Sequence, residues 1–230
     1  MKKYPKLCNE ISQSSVIAGW AYYTFELLFL PSILLSIAAK LGIGNAVVNF
    51  VYYLLNFAFC LAIFRDFLLK SLEDAGKNLG AFLRAVALGF VAYWAVNRGV
   101  ELLMELVSPE FANVNDQSIA AMFAEHPALI AVGTVLLVPV AEECLFRGLI
   151  FSQLKPKNAV AAYAVSALAF CAIHVVGYVG VYPAETLALC FLQYVPAGLL
   201  LAWSYAHCGS IIAPILIHTA INAAAVLSLM

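Results

Sequence analysis

The chain has 230 residues, of which 64% are hydrophobic and only 11% are charged. Soluble domains carry about 25% charged residues, so this composition, with a mean hydropathy of +0.95, predicts an integral membrane protein. Twelve Lys and Arg residues against thirteen Asp and Glu residues give a net charge of −1. A nucleic-acid-binding domain would present a basic patch, so we expect a lipid bilayer and no nucleic acid as partner.

Apolar segments long enough to cross a bilayer occur seven times, since a span needs about 20 mostly apolar residues. They cover residues 16–39, 43–64, 79–107, 127–152, 158–182, 184–206 and 210–230. Pro31 predicts a kink in the first segment. Residues 65–78 are polar, and residues 108–125 indicate an outer loop or a surface helix. We therefore predict an all-α fold: a polytopic membrane helical bundle of about seven transmembrane helices, in one domain over residues 1–230.

Basic residues outside these segments predict the orientation in the membrane. If the N-terminus is cytoplasmic, the inner segments hold eight basic residues and the outer segments hold only Lys40. The eight are Lys2, Lys3, Lys6, Arg65, Lys70, Lys77, Lys155 and Lys157. This bias agrees with the positive-inside rule, so we expect a cytoplasmic N-terminus and an external C-terminus. The short loops favour a bacterial plasma membrane.

Ionisable side chains within the predicted spans are costly to bury and often functional. For Glu26 in the first span, a hydrogen-bonded structural carboxyl is the simpler interpretation. The fourth span holds Glu142, Glu143 and Arg147 within six residues, and Pro139 precedes them. Helical spacing pairs Glu143 with Arg147 and turns Glu142 about 100° away. A free Glu142 carboxyl suits a general acid or base, although a buried ion pair beside a spectator carboxyl fits the same spacing.

Polar residues recur in the fifth and seventh predicted spans. His174 follows Phe170 by four residues, and His218 and Asn222 lie one turn apart on the same helix face. A lone histidine in a membrane helix is as often structural as functional. A carboxylate, two imidazoles and an amide can together deprotonate water and hold an oxyanion. The predicted catalytic group is therefore Glu142, His174, His218 and Asn222.

Three short motifs carry a resemblance to a known family. The segments EECLFR (142–147), FCAIH (170–174) and HTAIN (218–222) occur in this order. They resemble the EExxxR, FxxxH and HxxxN motifs of the CPBP family of intramembrane proteases. That family includes the type II CAAX prenyl endopeptidases and bacterial bacteriocin-processing or immunity proteins. The resemblance covers residues 127–230, the motif-bearing core, and none of the first 126 residues.

The resemblance implies an intramembrane endopeptidase acting on a peptide or protein substrate. Glu142 would be the general base and would activate water together with His174. His218 and Asn222 would stabilise the oxyanion, and the ion pair beside Glu142 would support the site. We expect the site to be reached from the cytoplasmic side. A prenylated C-terminus, a peptide pheromone and a bacteriocin precursor are all open as substrates.

No cofactor is expected, because the chain lacks the HExxH zinc motif. Glu142, His174 and His218 could still supply three zinc ligands with an open fourth position, so a metal-dependent hydrolase is one alternative. A non-catalytic immunity or scaffold protein of the same fold is another, although the complete motif set argues against it. A proton-coupled transporter is a third, because Glu and His within spans also build proton relays. The lack of a visible internal repeat argues against a transporter.

Overall fold

The computed structural model describes residues 11–230, so Lys2, Lys3 and Lys6 lie outside the described residues. Within that range the chain folds into helices, which confirms the predicted all-α class. The nine helices are α1 (Gln13–Leu28), α2 (Leu30–Leu41), α3 (Asn45–Lys77), α4 (Leu79–Val107), α5 (Val114–Glu125), α6 (Pro127–Leu154), α7 (Ala159–Ile173), α8 (Ala184–Cys208) and α9 (Ile212–Leu227).

Four of these helices, α3, α4, α6 and α8, are long and apolar enough to span a membrane. The pair α1–α2 counts as a fifth span if it is taken together, with a bend of 46° between its halves. Helices α7 and α9 have 15 and 16 residues. At 1.5 Å per residue they reach only ~23 Å, short of a hydrocarbon core of roughly 30 Å. Residues 11–230 therefore support four to five candidate spans rather than the full seven.

The structure confirms one local prediction and corrects another. Pro31 occupies the second position of α2, just after the bend, where its missing N–H removes no helical hydrogen bond. The predicted kink is therefore present. The fifth predicted segment is wrong in its end, because α7 stops at Ile173 instead of continuing to residue 182. Residues 108–125 contain helix α5, which agrees with the surface helix that was one of the two predictions for this segment. Helix α3 is longer than the predicted second span, because it continues through the polar residues 65–77.

The order of contacts along the helices gives the bundle two distinct ends. Helices α3 and α6 run in the same direction, since Tyr53 lies against Gly133 and Phe67 lies against Gly148. We call the end that holds Lys77, Lys155 and Lys157 the basic end, and the end that holds α5 the α5 end. Four helices run from the basic end to the α5 end, namely α1, α4, α7 and α9. The opposite direction, from the α5 end to the basic end, is taken by α3, α6 and α8.

Helix α6 lies at the centre of the bundle. All eight residues of Cys144–Phe151 are buried, because α1, α3, α7, α8 and α9 contact this part of α6 or the turn before it. Close helix packing in a membrane depends on small residues. Helices α7 and α8 pack closely in this way where Gly198 of α8 meets Ala167 of α7. A Cβ there would lie 3.1 Å from both Cα and Cβ of Ala167. This close approach brings the α8 backbone next to the charged residues of α6.

Candidate active site

Helix α6 departs from regular α-helical winding on both sides of its acidic pair. Gly133–Leu137 and Cys144–Phe151 are wound as π-helix, which is rare and occurs frequently at functional sites. Glu142 and Glu143 close the α-helical stretch between them, Val138–Glu143. The predicted catalytic base is therefore set in the most irregular helix of the described chain.

Pro139 explains the first irregular stretch and one contact of Asn222. The N–H of Val138 donates to the carbonyl of Gly133, five residues back. In that register the carbonyl of Thr134 would pair with residue 139, but proline has no N–H. The Nδ2 of Asn222 donates to this carbonyl instead, at 2.8 Å. Asn222 thus replaces a missing backbone donor, and its second amide N–H stays available for another acceptor.

Glu143 accepts hydrogen bonds from two other predicted site residues. Its Oε1 lies 2.9 Å from Nη1 of Arg147 and 2.9 Å from Nδ1 of His218. The Glu143 and Arg147 side chains are both fully buried, and His218 is nearly so. The predicted ion pair is therefore present, and it also binds an imidazole from α9 that the helical spacing did not reveal.

The buried charge of Arg147 is stabilised by other contacts in addition to its ion pair with Glu143. Its Nη2 donates to the carbonyls of Gly198 and Ala197, at 3.0 and 3.3 Å. The guanidinium also lies over the ring of Phe170, with Cζ 4.5 Å from the ring centroid, an attractive cation–π arrangement. A buried charge is tolerated when it is both paired and hydrogen-bonded, so this set of contacts accounts for an arginine inside the bundle.

Glu142 differs from Glu143 in both exposure and partners. Its side chain keeps 18% of its surface exposed, while that of Glu143 keeps none. Its Oε2 lies 3.9 Å from Nε2 of His218, beyond hydrogen-bond distance. Among residues 11–230 this oxygen has no hydrogen-bond partner. Oε2 of Glu143 lacks a partner too, so the contrast is between Glu143, which is paired through Oε1, and Glu142, for which no hydrogen bond is found among the described residues.

His218 lies between the two glutamates, and Glu143 fixes its protonation pattern. A carboxylate only accepts hydrogen bonds, so Nδ1 of His218 carries the proton that it donates to Glu143. In the neutral ring Nε2 is then an acceptor that faces Glu142. A second proton on the ring makes Nε2 a donor, which is the form that could hold a negatively charged oxygen.

His174 ends helix α7 with its own side chain. Its Nδ1 lies 2.8 Å from the carbonyl of Phe170, the acceptor that the backbone N–H of His174 would use in a continuing α-helix. That N–H turns to the carbonyl of Cys171 instead, a case of a side chain competing with helical hydrogen bonds. Because a carbonyl cannot donate, Nδ1 holds the proton, and Nε2 of the neutral ring is a proton acceptor.

One cavity of about 370 Å³ brings the predicted catalytic group together, because Glu142, His174, His218 and Asn222 all line it. Glu143 and Arg147 lie behind this wall. The N-terminal helices line the other side, where Glu26 accepts a hydrogen bond of 2.5 Å from the hydroxyl of Tyr52. The Glu26 carboxyl therefore has the hydrogen-bond partner that a structural role requires, and it also borders the cavity.

The cavity lies toward the α5 end of the bundle. Its lining extends to Asn115 at the start of α5 and to Ser228 and Leu229 after α9, whereas Lys77, Lys155 and Lys157 occupy the basic end. The sequence-based expectations placed the basic residues in the cytoplasm and also placed access to the site there. These two expectations do not fit together in this fold, since the cavity faces away from the basic end.

The zinc alternative depends on how closely its three side chains are grouped. Within residues 11–230, no group of three or more His, Cys, Asp or Glu side chains is placed to hold a metal ion. His174 bonds the Phe170 carbonyl and His218 bonds Glu143, each through Nδ1, which leaves Nε2 of both rings available, as is usual for histidines that bind a metal. Glu142, His174 and His218 thus share a cavity, but in residues 11–230 as they stand they are not grouped as three ligands of one ion.

Comparison with protein families agrees with the three motifs. Residues 124–224 match the family model described as type II CAAX prenyl endopeptidase Rce1-like. This part of the chain is a domain of the Rce1-like CAAX protease family. No curated protein and no solved structure matches the chain. Membership in this family implies a membrane protease with a protein substrate.

The Rce1-like domain contains all six predicted site residues, but part of the cavity wall comes from outside it. Glu26, Tyr52 and Asp116 line the cavity and precede residue 124. Sequence reasoning singled out only Glu26 among these. It also missed Tyr194, whose ring stacks on His174, because an aromatic residue in an apolar helix carries no pattern that separates it from ordinary packing residues.

The contact between Asn222 and Thr134 yields a stability prediction. Asn222→Ala leaves a carbonyl without a donor, which should lower the free energy of unfolding by about 1–3 kcal/mol. Pro139→Ala restores a backbone N–H at residue 139, and this N–H can donate to the Thr134 carbonyl. We therefore expect Asn222→Ala to cost clearly less in the Pro139→Ala background, as measured by unfolding of the detergent-solubilised protein in a double-mutant cycle. Equal losses in both backgrounds would show that Asn222 does not replace the missing donor.

Proposed function

We propose that the chain is an intramembrane endopeptidase that hydrolyses a peptide bond with water activated by Glu142 and His174. The observation that carries this proposal is the contrast within the acidic pair. Glu143 is fully buried and bonds Arg147 and His218 through Oε1, whereas Glu142 is partly exposed in the cavity wall and has no hydrogen-bond partner among residues 11–230. His174 borders the same cavity with an acceptor nitrogen, so two proton acceptors converge where a water molecule can enter.

The proposed reaction starts with removal of a proton from water by Glu142, while Nε2 of His174 accepts the second hydrogen of that water as a hydrogen bond. The water oxygen attacks the carbonyl carbon and forms a tetrahedral intermediate with a negatively charged oxygen. The carbon–nitrogen bond then breaks, and Glu142 returns the proton to the departing amine. Such acid–base catalysis contributes typically 10²–10⁴-fold to a rate.

His218 and Asn222 are the proposed donors to the oxyanion. Asn222 keeps one amide N–H after bonding Thr134, and a second proton on the His218 ring would give an Nε2–H near Glu142. Donors that are fixed before the reaction cost no reorganisation when charge develops. Both side chains lie on α9 and are held by acceptors on α6, because Nδ1 of His218 donates to Glu143 and Nδ2 of Asn222 donates to the Thr134 carbonyl.

The two other functions considered from the sequence are less well supported by this cavity. A non-catalytic scaffold would not require four polar side chains around a cavity inside a membrane helix bundle, where each has a burial cost. A proton-coupled transporter would need a path to both ends of the bundle, whereas the lining residues lie toward the α5 end. The substrate we propose is a membrane-associated peptide or protein, with or without a lipid.

The two adjacent glutamates should respond differently to the same substitution. Glu142→Gln keeps the shape of the side chain and removes the base, so turnover should fall by roughly 10²-fold or more with unfolding unchanged. Glu143→Gln leaves a buried guanidinium without its charge partner, which should cost about 3–5 kcal/mol of stability. The measurements are unfolding in detergent and cleavage of a quenched, farnesylated CAAX peptide in liposomes.

A second readout of activity does not require a known substrate. It is mass spectrometry of the membrane peptidome from cells that express either wild type or Glu142→Gln. Peptides that depend on active protein would identify the substrate and the cleavage site together. Reversed roles, with Glu142 needed for folding and Glu143 for turnover, would contradict the assigned division. Full cleavage by both variants would contradict the proposed roles of the two glutamates, and the absence of any cleavage by wild type in both assays would contradict the protease proposal.

Hydrolysis by this group should persist in the presence of a chelator. The reason is that the base and the oxyanion donors are side chains, and none of the described residues form a metal-binding group. The peptide assay is run with and without a chelator, and zinc is then added back. Loss of cleavage that zinc restores would favour the metal-dependent alternative.

We propose the orientation that the basic residues favour, with the basic end in the cytoplasm and seven crossings, of which α7 and α9 are short. Reporter fusions after Lys77 and Lys157 should then read cytoplasmic, and a fusion near Asn115 should read external. In this orientation the cavity opens on the external side, which replaces the expected cytoplasmic access. An external signal at Lys157 would invert the orientation and return the cavity to the cytoplasm.

A further inference from the structure

The ring of Tyr194 covers one face of His174. The two ring centroids lie 4.0 Å apart with an angle of 27° between the planes, which is a stacked arrangement. Tyr194 comes from the middle of α8 and also borders the cavity. His174 is therefore held at Nδ1 by the Phe170 carbonyl and on one face by an aromatic ring, so the direction of Nε2 is set by both contacts.

The hydroxyl of Tyr194 is in turn fixed by the first turn of α5. Nδ2 of Asn115 donates to the phenol oxygen at 3.0 Å, and the hydroxyl donates to Oδ1 of Asp116 at 3.0 Å. An amide, a phenol and a carboxylate thus form a directed chain of hydrogen bonds. This chain ends on the Asp116 carboxylate, so both the oxygen and the proton of the phenol have a partner on α5.

The same turn of α5 is anchored independently of Tyr194. The side chain of Asn113 accepts from the backbone N–H groups of Asn115 and Asp116, which caps the helix. Its Nδ2 donates to Oε1 of Gln193 at 2.8 Å. Because Gln193 precedes Tyr194 in α8, three side-chain hydrogen bonds join the start of α5 to two successive residues of α8. The geometry of the phenol is thereby fixed relative to α8.

We propose that Tyr194 is a positioning residue for His174 and that Asn115 and Asp116 act on His174 through it. This inference rests on the proposed function, in which His174 accepts a hydrogen bond from the attacking water. An aromatic face attracts a cation, so Tyr194 also stabilises the imidazole whenever His174 carries a second proton. Asn115 and Asp116 lie before residue 124, so part of what would position this histidine comes from outside the matched domain.

The stack and the hydroxyl contacts can be separated by two substitutions. Tyr194→Leu removes the ring face and should lower kcat by about 10–100-fold, since small misplacements of a reacting group have effects of that size. Tyr194→Phe keeps the face and loses only the contacts to α5, so its kcat should lie between those of Tyr194→Leu and wild type. KM for the quenched, farnesylated peptide should stay within about 3-fold, because positioning acts on turnover rather than on binding.

A double-mutant cycle tests the path from α5. Asp116→Asn should lower kcat in the wild-type background and should have no further effect in the Tyr194→Phe background, where the hydroxyl is already absent. Tyr182→Leu is the matched control, because Tyr182 packs on Tyr178 and does not line the cavity. It should leave kcat unchanged. Unfolding is measured for every variant, and if Tyr194→Leu does not fold, the cycle with Tyr194→Phe decides.

The inference is overturned if Tyr194→Leu folds and changes KM alone, or if Asp116→Asn lowers kcat equally in both backgrounds. Its failure is distinguishable from failure of the proposed function. If Glu142→Gln abolishes cleavage while Tyr194→Leu and Tyr194→Phe keep wild-type kcat, the protease stands and only the positioning role falls. If Glu142→Gln keeps full activity, the assignment of the whole site falls with it.

Discussion

The oxygen that accepts from both Arg147 and His218 is the contact on which the rest of the site depends. A guanidinium in the interior of a membrane bundle has a desolvation cost of several kcal/mol, and Glu143 Oε1 offsets it at 2.9 Å. The same oxygen fixes His218 from α9, while Arg147 extends to the carbonyls of α8. One buried pair therefore joins three helices and frees the neighbouring Glu142 for the cavity.

Backbone irregularity and side-chain chemistry are linked in α6. A lipid environment leaves no water for an unpaired carbonyl, so every such group needs a partner within the protein. Pro139 removes the donor for Thr134, and Asn222 supplies one from α9. His174 shows the reverse case, since its ring takes the Phe170 carbonyl and ends α7. In both cases a proposed catalytic side chain is oriented because it satisfies a backbone group.

The cavity is built by more of the chain than the matched domain. Helices α1 and α3 place the Glu26–Tyr52 pair in its wall, and the first turn of α5 fixes Tyr194 against His174. The proposed catalytic group lies in residues 124–224, whereas part of the cavity wall comes from residues before it. Features that distinguish this protein from other proteins with the same motifs are therefore expected in residues 11–123.

The sequence by itself determined the helical membrane class, the Pro31 bend, the motif set and the pairing of Glu143 with Arg147. Composition and the i, i+4 spacing of a helix are local properties, so they can be read without a fold. Only the tertiary structure decided that His218 binds Glu143, 75 residues away, that Tyr194 covers His174, and that the cavity lies away from the basic end. These contacts depend on how helices cross and on where each one ends. Helical periodicity specifies neither, because it gives the face of a helix and not its neighbour.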